Sequence, residues 1–181
     1  MDWNLMADYG IGTAARMIDV AKAEIGVVEV PDNKVKYNNE NGLAWCGYFI
    51  DWCAKKSGLK KLPSQISTIQ GAHKMKEFGC WIDGSPAPGD LVYMGWGAKN
   101  HIEHIGLVVG IIDKNTVLTI EGNTSDKSQS NGGAVMVKER TIGKEIIGFA
   151  RPKYLAFAGE LPKVERPAKA KVSGVKLKGK K

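Results

Sequence analysis

A thiol becomes a strong nucleophile when its pKa is lowered, and the start of a helix beside an imidazole is one setting that lowers it. Cys46 stands in such a place. In WCGYFIDWCAKKSG the apolar residues recur at helical spacing from near Trp45 and stop at Lys55, Lys56 and Gly58, the signature of a helix C-terminus. The base it would need lies downstream, where His104 opens HIGLVVG while Glu121 and Asn123 close the next apolar run in TIEGN. Adjacent antiparallel strands joined by a short turn set the start of one beside the end of the other. His104 and Glu121 can therefore meet, giving a base and the third group that orients it. Cys53, two turns along the same helix between Phe49, Trp52 and Ala54, reads as a small core hydrophobe, and Cys80 likewise. Cys46 and Cys53 would stand about 10.5 Å apart along a helix, beyond the reach of a disulfide. His101, in the loop KNHIE, is a rival base. His73 reads as a surface or capping histidine of the third helix, and Asp90 in PGD reads as a residue that stabilises its own turn.

The elements that must position these groups change character along the chain. Residues 13–25 set Ala14, Met17, Ile18, Ala21 and Ile25 on one helical face, with Thr13 as N-cap. A second helix begins near Trp45, and residues 65–78 give a weaker third. From Ser85 onward, turns rich in Pro and Gly separate β-prone runs at 90–95, 104–112, 116–122, 134–139 and 145–152. Helices followed by closely spaced strands predict an α+β domain with N-terminal helices packed on an antiparallel β-sheet.

The 181 residues suffice for one domain with a real core. At 43% hydrophobic and 25% charged residues the composition excludes wholesale disorder and a disulfide-dense scaffold. Of the net charge of +7, residues 160–181 carry +6. The expected organisation is an N-terminal arm over 1–12, a catalytic domain over 13–155, and a flexible basic tail over 156–181. No run approaches the roughly 18 apolar residues of a membrane span, and MDWNLMADYG lacks the basic and apolar regions of a signal peptide.

In order and spacing, WCGYFIDWC, PGDLVYM, HIGLVVG and EGN resemble the CHAP family, the cysteine, histidine-dependent amidohydrolases and peptidases, over about residues 13–154. The resemblance implies a papain-like α+β fold, with Cys46 as nucleophile, His104 as base, Glu121 as the residue that orients the imidazole, and Asn123 as a supporting polar group. It implies hydrolysis of an amide bond in bacterial peptidoglycan, either between sugar and peptide or within the peptide part. Trp45 and Trp96 are then candidates to line the substrate groove. A short member without a signal peptide resembles a phage endolysin, made in the host cytoplasm and acting at the cell wall. Some phage members carry an acidic calcium loop ahead of the cysteine, but PDNKVKYNNENG sets Asp32 and Glu40 well apart. No metal or cofactor is expected, and the protein is expected to be a monomer. The basic tail suits an anionic wall polymer. Two other readings stay open: a bacterial autolysin or antibacterial toxin with the same chemistry, and a non-catalytic wall- or nucleic-acid-binding module.

Overall fold

A computed structural model of the chain describes residues 8–97, 101–128 and 131–167. Three helices, α1 (Ala14–Ala23), α2 (Cys46–Ser57) and α3 (Thr68–Glu77), precede six strands. These are β1 (Trp81–Ile82), β2 (Leu91–Met94), β3 (His104–Asp113), β4 (Thr116–Thr124), β5 (Ala134–Thr141) and β6 (Ile146–Ala150). They form one antiparallel sheet in the order β1-β6-β2-β3-β4-β5. The architecture is the expected α+β one, with the helices ahead of the sheet.

Local chemistry explains the helix ends. The Thr13 hydroxyl accepts the Arg16 N–H and caps α1. Met17, Ile18 and Ala21 are buried, but α1 ends at Ala23, so Ile25 leaves the predicted face and is exposed. Gly58 ends α2 in the left-handed conformation at φ 77°. A side chain there would also run into Ile11, since a Cβ would stand 2.3 Å from its Cγ2.

The sheet is buried on both faces. Leu91, Tyr93, Ile105, Leu107 and Ile120 pack with Met17, Phe49, Ile50 and Cys53 of the helices. The alternate residues Val92, Met94, Val108, Val117 and Phe149 form a second, smaller core. This alternation is the two-residue period of a strand, and it puts His104, Gly106 and Val108 on the second face.

Past the expected boundary at 155 the described chain still touches the domain. Leu155 bridges to Thr13, Pro162 is buried, Val164 packs against the main core, and Arg166 grips Glu139 through two hydrogen bonds of 2.7 and 2.9 Å. Residues 156–167 are an extended strap lying on the domain. Contacts at single positions, apolar and ionic, hold it, and no helical or strand period reveals them. The six lysines of the predicted tail beyond it lie outside the described residues, as do residues 1–7 of the predicted arm. The rest of that arm is tied in by Gly12, which donates to the Ser57 carbonyl and accepts from the Leu155 N–H.

Candidate active site

Cys46 is the first residue of α2 and is 6% exposed. Trp45 precedes it without a side-chain cap, so the positive end of the helix faces the thiol without a competing acceptor. The helix starts hard against the 64–66 segment. A Cβ at residue 47 would stand 2.0 Å from the Gln65 carbonyl oxygen, so only glycine fits after the cysteine.

His104 is fully buried and faces Glu121, with Nε2 3.1 Å from Oε2. Its other nitrogen, Nδ1, is buried with no hydrogen-bond partner. The Cys46 thiol is near enough to the ring for each to shift the other's titration. The β3–β4 ladder pairs Leu107 with Ile120, and continuing that register sets Gly106, not His104, beside Glu121. The carboxylate therefore reaches diagonally over Gly106, where a Cβ would stand 2.8 Å from Glu121 Cγ. The glycine of HIGLV is thus a clearance for the carboxylate.

Glu121 is fully buried and its two oxygens take four donors. Oε1 accepts from the Thr119 hydroxyl at 2.6 Å and Arg140 Nε at 2.7 Å. Oε2 faces His104 and accepts from an Arg140 terminal nitrogen at 2.5 Å. Arg140 is nearly buried as well, with its side chain 5% exposed.

Burial alone would raise the Cys46 pKa, but the bond and charge of His104 and the backbone N–H groups of Gly47 and Ile105 outweigh it, and the thiol titrates below its ordinary value. Burial would lower the His104 pKa, yet the bonds and charges of Cys46 and Glu121 raise it to about 9. Burial would likewise raise Glu121, and Arg140 and His104 hold it down at about 2. All these shifts favour a thiolate beside an imidazolium. By contrast, burial pushes the Cys53 thiol well up, as expected of an inert core residue.

The other expected residues are distributed as follows. Asn123 is buried at φ 58°, its amide donating to Asn131 Oδ1 while its own Oδ1 has no partner. It is near the site in sequence but makes no hydrogen bond to His104. Trp45 is fully buried, with its indole N–H on Glu29 Oε2 at 2.5 Å and its ring against Tyr37. Fully buried, it does not line an open groove as expected, and the half-buried Glu29 satisfies its polar end. Trp96 is 40% exposed, with its ring centroid 6.0 Å from that of His104 and the Arg140 guanidinium 5.3 Å from its face. His101 is exposed and faces Glu103 Oε1 at 3.8 Å, and His73 is exposed on α3. Asp90 closes its own turn by accepting from the Ala87 N–H at 2.7 Å and also pairs with Arg151.

Sequence reasoning missed Arg140, Thr119 and the clearances at Gly47 and Gly106. Among the described residues no three His, Cys, Asp or Glu side chains gather to hold a metal ion. No described helix is long and apolar enough to cross a membrane.

Residues 38–123 match the family model of the CHAP domain. That stretch contains Cys46, His104 and Glu121 and stops short of Arg140. Among solved structures the chain is similar to a Staphylococcus aureus subsp. aureus Mu50 protein described as similar to lipoprotein, NLP/P60 family. The identity is 15% and the TM-score 0.42, over 84% of this chain and 45% of that one, so the chain spans under half of its length. No curated protein matches.

Proposed function

We propose that this protein hydrolyses an amide bond of bacterial peptidoglycan by cysteine nucleophilic catalysis. The observation that carries the reading is the buried run of Cys46, His104 and Glu121 within the stretch that matches the CHAP domain. The Cys46 sulfur attacks the amide carbon, and backbone N–H groups at the start of α2 receive the negative charge on the oxygen. His104 gives its proton to the leaving nitrogen as the C–N bond breaks, leaving a thioester. Water then attacks the thioester while His104 takes its proton. The acid product departs and the thiolate is restored.

Glu121 holds the imidazole in place and stabilises its charge, and Asn123 is a supporting polar group. Trp96, half-exposed over His104, offers the substrate an aromatic wall. The reaction is either that of an N-acetylmuramoyl-L-alanine amidase or that of an endopeptidase. The protein acts as an endolysin, made in the host cytoplasm and delivered to the wall, with its lysine-rich end attracted to anionic wall polymers.

Digestion of purified peptidoglycan followed by mass spectrometry of the products tests this. Muropeptides freed at the muramic acid would identify an amidase, and new termini within the peptide an endopeptidase. Walls left intact by the wild-type protein would refute the reading.

A further inference from the structure

Glu121 is enclosed within β4, and the residue that holds it there comes from the next strand and from outside the CHAP match. Arg140 pairs with Val117 in the β4–β5 ladder and slants along the sheet to place two of its nitrogens on the two oxygens of Glu121. Its other side lies against the face of Trp96, which in turn stands beside His104. An arginine fork fixes a carboxylate in plane and direction as a lysine cannot. We propose that Arg140 is a positioning residue of the candidate site: it locks the Glu121 carboxylate against His104 Nε2 and thereby sets how readily the Cys46 sulfur reacts.

The inference rests on the nucleophilic reading of Cys46. Among the described residues, the charged groups whose contacts with the cluster are resolved are Cys46 from α2, His104 from β3, Glu121 from β4 and Arg140 from β5. Lys138, the next residue along the same face of β5, is turned instead to Asp126 and the Ser125 carbonyl. With all four groups ionised the cluster is neutral.

Removing the positive charge of Arg140 has two possible consequences, and both act in the same direction. If Glu121 stays ionised, the thiolate faces one more uncompensated negative charge. If Glu121 takes up a proton instead, His104 loses the carboxylate that holds it as imidazolium, and the thiolate loses its cation. In either case the thiolate forms only at higher pH.

The test is the rate of Cys46 alkylation by iodoacetamide across pH on the full chain, with the modified cysteine located by peptide mass spectrometry. Wild type should show Cys46 reacting below the pH at which an ordinary thiol ionises. Arg140→Gln should move that acid limb up by about one pH unit or more. Arg140→Lys, which keeps the charge but loses the fork, should move it part of the way. A residue that only stabilised the fold would lower the melting temperature and leave the limb in place.

If Arg140→Gln does not fold, Arg140→Lys decides: a shifted limb supports the proposal and an unshifted one overturns it. If wild-type Cys46 reacts like an ordinary thiol, the nucleophilic reading itself falls. If wild type shows the depressed limb and folded Arg140 variants share it, only the positioning role falls.

Discussion

Replacing Glu121 by Gln tests whether that carboxylate is held by charge as well as by shape. The side chain keeps its size, but one of its two oxygens becomes an NH2 group. Each oxygen receives one Arg140 nitrogen, at 2.7 Å on Oε1 and 2.5 Å on Oε2. Whichever way the amide turns, its NH2 therefore meets an arginine N–H, donor against donor. On one side it also meets the Thr119 hydroxyl, which can turn toward the Lys138 carbonyl 3.3 Å away. On the other it meets His104. The Arg140 charge, 5% exposed, loses the Glu121 carboxylate as its counter-ion. Breaking a buried ion pair from one side costs about 3–5 kcal/mol, a large share of the roughly 5–15 kcal/mol that holds a domain folded. We expect Glu121→Gln to lose about 3 kcal/mol in urea denaturation. We also expect Glu121→Gln combined with Arg140→Met to be more stable than Glu121→Gln alone, because the buried cation no longer faces a neutral amide. A single variant within about 0.5 kcal/mol of wild type, the usual range for a surface substitution, would refute the argument. So would a double variant whose losses merely add.

The remaining predictions concern the thiols, pH and the lysine-rich end. Cys46→Ala should abolish wall hydrolysis and leave the thermal transition nearly unchanged. Cys53→Ala should keep activity and lose about 1 kcal/mol, because it empties a fully buried position. Activity should rise with pH as Cys46 ionises and fall as pH climbs through about 9, where His104 gives up its proton. Stability should follow the same groups. The share from His104, whose pKa is raised on folding, is complete below about 6.5 and is lost as pH rises through about 9, whereas that of Glu121 is lost as pH falls below about 4.5 toward about 2. Melting curves across pH, read beside the pH–rate profile, check both limbs. Deleting residues 168–181, which carry six lysines and no acid, should slow hydrolysis of intact walls and flatten its salt dependence while sparing a small muropeptide.

What could be read from the sequence follows the range of each interaction. Helix caps and periods act over one to four residues, so Thr13, Gly58 and the apolar stripes gave α1 and α2 almost to the residue. Strands β2 to β6 were legible because turn residues bracket runs of β-branched and aliphatic side chains. β1, with two residues, is too short to show a period. The meeting of His104 and Glu121 follows from antiparallel topology alone, although the ladder makes it diagonal. The failures share a cause, since each depends on what a long side chain or a strap touches after folding. A tryptophan beside a cysteine looks the same in sequence whether its indole N–H ends on Glu29 or at a groove. The strap over 156–167 is held by contacts at Pro162, Val164 and Arg166, which have no period to detect.

Arg140 is the instructive omission. In AVMVKERT it sits among alternating residues, where a charge ordinarily marks the solvated face of an edge strand, and β5 is at the edge of the sheet. The sheet is nevertheless buried on both faces, and on the second face the apolar cluster of Val92, Met94, Val108, Val117 and Phe149 gives way to Thr119, Glu121, Arg140 and His104. A carboxylate cannot remain ionised in such a place without a counter-charge. The buried Glu121 that the sequence offered as an orienting group therefore already demanded a cation, and strand alternation allowed it to come from the facing residues of β5. Glu121 also needs space to reach His104, which Gly106 supplies. Glycine, glutamate and arginine come from three successive strands, and removing any one would leave the imidazole without a fixed partner.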